Sequence, residues 1–215
     1  MNFENCYFLI PARKGSKGLR FKNRKLFDNT AKTIPVELAN KVYVSTDDFV
    51  IENKAKEYGF NLVSRPADLA NDTASLKDVL LHFVDERNIK PAKTIIFLFL
   101  TYPERTWEDI VKIYDFFKSK RANSLVCAEK VIDHPYLCLY ELEDSRGKMM
   151  IEHDLYRRQD YPDCFRATMF VGCFKSDIIK NLSDLLIEEE TIFYKMDINK
   201  IDVDYAEDYN EFIST

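Results

Sequence analysis

Glycine is scarce in this chain, with five in 215 residues, and there are only seven prolines. That scarcity, with no Ser/Pro-rich tract, excludes long flexible linkers and low-complexity repeats. No C-x-x-C occurs, and Cys6, Cys127, Cys138, Cys164 and Cys173 are irregularly spaced, which excludes a dithiol redox site. Cys164 and Cys173 are not at zinc-pair spacing, and His82, His134 and His153 form no ligand cluster. The thiols are expected to be reduced and mostly buried, as in a cytoplasmic protein. No apolar run approaches the length of a membrane span. The N-terminal segment lacks a basic region ahead of its short apolar run, so a secretion signal is not expected. The pI is near 5.4 and no basic stripe follows the chain, so nucleic acid is not expected as a partner. What remains, 46% apolar and 31% charged residues, suits a single domain, 1–215, with a substantial core.

The chain is organised around Leu9–Lys25, LIPARKGSKGLRFKNRK. A short apolar run, Tyr7 to Ile10, stops at Pro11 and is expected to be a buried strand. Seven cations then follow within thirteen residues: Arg13, Lys14, Lys17, Arg20, Lys22, Arg24 and Lys25. No acid interrupts them. The chain carries a formal net charge of -5, so without these seven it carries -12. A concentrated positive loop on an acidic protein needs an anion to offset its repulsion. Loops at the carboxyl ends of strands are where open α/β sheets bind ligands. Gly15 and Gly18 permit close approach and positive φ, and bare N–H groups beside Ser16 can line an anion nest. These features point to a phosphate-binding loop for a nucleoside triphosphate. Its spacing is neither that of a Walker loop nor G-x-G-x-x-G. The rival reading is a solvated basic turn.

Downstream, strand and helix patterns alternate. Strands are expected at Lys41–Ser45, Asn61–Ser64, Thr94–Leu100 and Ser124–Ala128, the third being apolar throughout and therefore central. Helices are expected at Thr33–Asn40, Phe49–Tyr58 with Gly59 as C-cap, Ser75–Glu86, and Thr106–Ser119 with Thr106 as N-cap. This rhythm predicts βαβ units and a mostly parallel sheet. After His134 it changes. Leu137–Leu142 and Lys148–Glu152 flank a turn at Asp144–Gly147. Cys164–Phe174 is a further β candidate. Asp177–Leu186 is expected to be helical, Thr191–Met196 a strand and Ala206–Ile213 a helix. Residues 133–169 form a β-rich insertion.

P-A-R-K-G-S-K-G-L-R-F-K-N resembles the signature P-A-R-x-G-S-K-G-x-x-x-K-N of the CMP-sialic acid synthetases and their cytidylyltransferase relatives. Further blocks extend the resemblance over nearly the whole chain. Val44–Asp48 matches V-S-T-D-D, although a helix N-cap with acids in the first turn explains those residues equally well. Arg65–Ser75 matches R-P-x-x-L-A-x-D-x-x-S. Lys200–Tyr205, K-I-D-V-D-Y, matches I-D-I-D-T. Arg157–Pro162 and Phe165–Arg166 resemble the R-R-Q-x-x-P and F-R blocks of the acceptor side.

The resemblance implies a Rossmann-like α/β fold with helices on both faces of the sheet, and a β-rich arm that makes a homodimer. It implies transfer of CMP from CTP to an acidic, sialic-acid-like or other 2-keto-3-deoxy sugar. Ala12, Arg13, Ser16, Lys17, Lys22, Asn23, Arg65 and Ser75 would bind the nucleotide. Arg13, Lys17, Lys22 and Asp202 would carry the catalysis. Asp202 and Asp204, carboxylates at i and i+2, would hold Mg²⁺, a hard cation that prefers oxygen. Arg158, Gln159 and Arg166 would grip the acceptor carboxylate, bidentately where an arginine serves, with a salt-bridged loop as the alternative.

The departures fall mostly on the acceptor side. Where the family has Q-P-T-S-P-L-R, this chain has Phe99-Leu100-Thr101-Tyr102-Pro103-Glu104-Arg105, so the acceptor-binding glutamine is Phe99. The Asn-Gly after the F-R block is Thr168-Met169, the arm lysine after His134-Pro135 is Leu137, and the second serine after Ser75 is Leu76. The stretch from Asn23 to Val42 is shorter than in the family by roughly two helical turns. Each lost polar contact costs on the order of 1–3 kcal/mol, so an acceptor other than sialic acid itself is expected. The alternatives are a cytidylyltransferase for a phosphorylated sugar or polyol, or a nucleotide-binding homologue without catalysis.

Overall fold

The computed structural model describes residues 3–196 and 200–214. Strand β1 (Cys6–Pro11) is an inner strand of a seven-stranded sheet. β2 (Val42–Thr46) and β4 (Thr94–Phe97) pair parallel to its two sides, and β3 (Asn61–Ser64) extends the sheet beyond β2. On the other flank, β8 (Phe165–Lys175) is inserted antiparallel between β4 and β5 (Ser124–Lys130). β9 (Ile192–Lys195) closes the order β3-β2-β1-β4-β8-β5-β9, parallel to β5. The sheet is therefore mostly parallel, as expected from the strand–helix rhythm.

Alternation along each strand divides the core into two layers. Phe8, Ile10, Val44, Ile96 and Leu125 pack with Leu26 and Phe27 of α1 (Lys22–Thr33), Ile51 of α2 (Phe49–Glu57), and Ile110, Ile113 and Phe117 of α4 (Trp107–Ser119). Leu9, Ile95, Phe97 and Val126 face the opposite layer, with Leu80 and Phe83 of α3 (Leu76–Glu86). Helices thus cover both faces. The starts of α2, α3 and α4 are capped locally: Asp48 accepts from the Val50 N–H, Ser75 from the Asp78 N–H, and Thr106 and Asp109 form a reciprocal box. Gly59, at φ 73°, follows α2 as expected. The chain ends in α5 (Ala206–Ser214). Among the described residues no helix is long and apolar enough to cross a membrane.

Two expected helices are corrected. Thr33–Asn40 is not an α-helix. The helix is α1, which starts inside the basic segment at Lys22 and buries Leu26, Phe27, Thr30 and Ala31. It stops because Ile34 precedes Pro35 and takes an extended conformation, after which Val36–Lys41 form a 3-10 turn. Asp177–Leu186 holds only a 3-10 turn, Ile179–Asn181. Its apolar residues have helical spacing, yet Ser183 accepts at its hydroxyl from the Ile187 N–H and Leu186 sits at φ 60°. Such side-chain bonding competes with the helix, and the segment packs as a loop through Ile179, Leu182 and Leu186.

The strand at 94 ends at Phe97 rather than Leu100. In the insertion, β6 (Leu139–Glu141) and β7 (Gly147–Met149) form a separate two-stranded hairpin, shorter than its pattern suggests. Residues 165–169 lie in β8 of the main sheet rather than in the insertion. All five cysteines are free; Cys6, Cys127 and Cys173 are buried.

Candidate active site

The loop after β1 is tethered on both sides. The Ala12 N–H donates to the Ser45 carbonyl (2.9 Å) and the Thr46 hydroxyl to the Ala12 carbonyl (2.5 Å). The Lys14 N–H donates to the Asp47 carboxylate (2.7 Å), and the Asn23 amide to the Arg13 carbonyl (2.8 Å). The S-T-D-D block therefore caps α2 and also anchors the loop. Ala12 is fully buried beneath it.

Gly15 and Gly18 are not at positive φ. Gly18 serves by close approach: a Cβ there would lie 2.3 Å from the Asp204 carbonyl oxygen. The loop ends at Phe21, in the left-handed region at φ 57°, with the Arg20 and Arg24 guanidinia over its ring. Lys22, Arg24 and Lys25 then crowd the first turn of α1, which holds no acid. A helix N-terminus and three cations together make a strongly anion-attracting end.

Arg13, Ser16, Lys17, Gly18 and Lys22 line a cleft of about 450 Å³ with Asp72, Asp204 and Tyr205. Asp72 bridges Arg13 (2.6 Å) and Lys17 (3.1 Å), and these hydrogen bonds hold its carboxyl below the usual carboxylate range. Lys22 Nζ donates to Asp204 Oδ1 at 2.6 Å. Arg24 grips Asp48 with two bonds, 2.6 and 3.0 Å. Burial pushes the Asp48 carboxyl up, but the Arg24 bonds, the Val50 N–H and the nearby cations outweigh it and leave it lowered.

A second cleft, of about 540 Å³, adjoins the first and shares Asp204 and Tyr205. Asp202, Arg166, Glu129 and Lys200 line it. Asp202 accepts from the Tyr102 hydroxyl at 2.8 Å. Its carboxyl is raised, first by burial and then by Asp204, against the pull of its hydrogen bonds to Tyr102 and Thr101 and of the Lys22 charge. Arg166 is paired with Glu129 (Nε–Oε1 2.9 Å). Among the described residues no group of three or more candidate ligands surrounds a point. The Asp202–Asp204 pair is nonetheless a donor set that fits Mg²⁺, which keeps several waters and binds through one or two carboxylates plus phosphate oxygens.

The structure thus brings Arg13, Ser16, Lys17, Lys22 and Asp204 into one cleft, and Asp202, Asp204 and Arg166 into the next. Arg65 is buried and donates to the Ser45 hydroxyl (3.1 Å) and carbonyl (3.0 Å). Burial lowers its guanidinium to about 10. Ser75 is the N-cap of α3 and bonds Asp78. Arg158 lines a small cavity at the base of the insertion with Leu137 and Tyr161, which shares Ile132 with the second cleft and no residue with the first, and Gln159 is exposed. Phe99 packs edge-on against Phe97, with centroids 4.7 Å apart.

Asp72, Asp47, Tyr102, Glu129 and Arg105 escaped the sequence reading as functional residues. Asp72 lies inside a quoted motif, so its position was legible and its pairing was not. Arg105 is fully buried and donates to the Phe99 and Phe170 carbonyls (2.8 and 2.7 Å) and to the Thr30 hydroxyl (2.9 Å). It braces the turn that carries Tyr102, and burial lowers its guanidinium to about 10.

A family profile described as cytidylyltransferase matches residues 7–98. The chain is 29% identical over 205 residues to post-translational flagellin modification protein B of Campylobacter coli, covering 86% of each. It is 28% identical over 162 residues to N-acylneuraminate cytidylyltransferase of Streptococcus agalactiae, covering 71% of this chain but only 39% of that protein. Its fold is similar to that of CMP:2-keto-3-deoxy-manno-octonic acid synthetase solved with CTP, at a TM-score of 0.67 and 14% identity over 97% of both chains. Residues 7–98 thus match the cytidylyltransferase profile, and the chain is similar in sequence to an N-acylneuraminate cytidylyltransferase.

Proposed function

We propose that this chain transfers CMP from CTP to a hydroxyl of an acidic, 2-keto-3-deoxy type sugar, with release of pyrophosphate. One observation carries the reading: the cation-lined cleft and the carboxylate-lined cleft meet at Asp204 and Tyr205. A triphosphate on the first, gripped by Arg13, Lys17 and Lys22, would present its α-phosphorus at the border of the second. Ser16 and the loop amides orient the phosphates, and Arg65 and Asn23 hold the framework of the base side. Arg166, released from Glu129, offers a planar fork to an acceptor carboxylate. The acceptor hydroxyl oxygen attacks the α-phosphorus and gives up its proton to solvent, the bond to the α,β-bridging oxygen breaks, and pyrophosphate leaves with that electron pair. Bound at Asp202 and Asp204, Mg²⁺ would supply charge neutralisation at the α-phosphate.

The names of the relatives support a sugar acid, and Phe99, partly buried against the core, supports an acceptor other than sialic acid itself. The test is pyrophosphate release from CTP and Mg²⁺ with sialic acid, other nonulosonates, a 3-deoxy-octulosonate, and sugar and polyol phosphates. Release with one acid names the substrate. Release only with a phosphorylated polyol, or none while calorimetry shows CTP bound, overturns the sugar-acid reading. The proposal extends to a cytoplasmic homodimer joined through the insertion. Leu139 and Tyr140 of its hairpin, with Ile132 and Tyr156, are exposed, an apolar surface suited to a second copy. Light scattering at the mass of a monomer refutes that part.

A further inference from the structure

We propose that Tyr102 is a positioning residue, whose hydroxyl fixes the Asp202 carboxylate in the orientation that holds a divalent cation shared with the nucleotide phosphates. The inference rests on the cytidylyltransferase reading above. The Tyr102 ring is 3% exposed and stands edge-on against Phe170, with centroids 5.3 Å apart and planes at 89°. A ring locked in this way cannot swing its hydroxyl, which donates to Asp202 Oδ2 at 2.8 Å.

The backbone around the pair is braced as well. The Val203 N–H donates to the Thr101 carbonyl (2.8 Å), and the Ile201 N–H to the Glu104 carboxylate (2.9 Å). Residues on both sides of Asp202 are thereby tied to the turn after β4, and Arg105 pins that turn from beneath. Tyr102 stands where the resembling family's Q-P-T-S-P-L-R has a serine, a much shorter hydroxyl. The bland reading is a core aromatic. A phenylalanine would fill that role equally, so the hydroxyl alone separates the two.

The test is calorimetry of CTP binding, without acceptor, in EDTA and in Mg²⁺. In the wild type Mg²⁺ is expected to tighten CTP. In Tyr102→Phe that gain falls about tenfold, the usual scale for loss of an outer-shell partner of a metal ligand. The affinity in EDTA stays at the wild-type value, and the melting temperature falls by no more than the few degrees that loss of one buried hydrogen bond costs. An unchanged gain, or an equal loss in EDTA, overturns the proposal. Thr101→Val, which removes the other hydroxyl on Asp202, keeps the test open should Tyr102→Phe not fold, and it too must reduce the gain. A wild type that binds no CTP, or gains nothing from Mg²⁺, defeats the cytidylyltransferase reading itself.

Discussion

Gly18→Ala tests whether the basic loop and the carboxylate segment work as one unit. The added Cβ would lie 2.3 Å from the Asp204 carbonyl oxygen, 3.2 Å from its carbonyl carbon and 3.1 Å from the Tyr205 ring. An ordinary carbon–oxygen contact is about 3.4 Å, so loop and segment must part by about 1 Å. The obstacle is backbone, and a rotamer change cannot relieve it. Overpacking of this kind costs about 1–3 kcal/mol, which lowers the melting temperature by roughly 2–4 °C per kcal/mol in a chain of this size. The larger effect is on chemistry. A misplacement of about 1 Å between groups that must act together reduces rate on the order of 100-fold. The separation opens the Lys22–Asp204 contact, 2.6 Å in the intact site.

Gly15→Ala is the control, because the nearest atom to its added Cβ is Arg13 Nη1 at 3.9 Å. The assay is pyrophosphate release at saturating acceptor, with circular dichroism and thermal melts on both variants. Gly15→Ala within about threefold of wild type and Gly18→Ala down about 100-fold is the expected pattern. Equal activities in the two variants would refute the coupling.

Asp72→Asn frees Arg13 and Lys17 from their internal partner, so CTP is expected to bind several-fold more tightly while CMP, lacking the β- and γ-phosphates, does not; calorimetry of both ligands decides it. Lys22→Ala removes a cation that is 14% exposed between the loop and Asp204, and turnover is expected to fall about 100- to 1,000-fold with the fold intact by circular dichroism. Asp48→Asn is expected to cost about 1–3 kcal/mol at pH 7 in urea denaturation. The folded pKa of Asp48 lies below its ordinary value of 3.8, so this stabilisation is present above that value and lost as the pH falls through the folded one. The gap between wild type and variant must therefore close in acid, and a constant gap would show that the ion pair is not its source.

Much of the sheet was legible because its strands are short, apolar and bounded by breakers, and β4 is apolar on both faces. The helical spacing at Ser75–Glu86 and the cap at Thr106 announced α3 and α4. Helix α1 was hidden by its own charge: Lys22, Arg24 and Lys25 belong to a helix through burial of Leu26, Phe27 and Ala31, and through tertiary ion pairs that no local pattern records. Residues 177–186 failed in the opposite sense, since helical spacing of apolar side chains also serves a loop packed on a sheet. In the site, the motifs located Arg13, Lys17, Lys22, Asp202 and Asp204 along the chain. Their partners lie up to 182 positions away, as Lys22 does from Asp204. Tyr102, too, has no local signal, because its role depends on contact with Asp202 across 100 positions.

The charge imbalance that first marked the chain now has a physical resolution. The basic segment was expected to need an anion, and carboxylates from the acidic remainder supply part of it. Arg13 and Lys17 meet Asp72, Lys22 meets Asp204, and Arg24 meets Asp48. Arg20 and Lys25 lie over the rings of Phe21 and Tyr209. These partners differ in exposure. The Asp48 side chain is 1% exposed and holds the framework, whereas Asp72 and Asp204 are 40% and 56% exposed at the cleft. A buried pair resists exchange, while an exposed one is weakened by water and salt. An incoming triphosphate can therefore displace the carboxylates of Asp72 and Asp204 and leave the Arg24–Asp48 pair in place. The Arg24–Asp48 pair thus holds the framework, while the cations facing the cleft are held by exposed carboxylates that an anion of higher charge can replace.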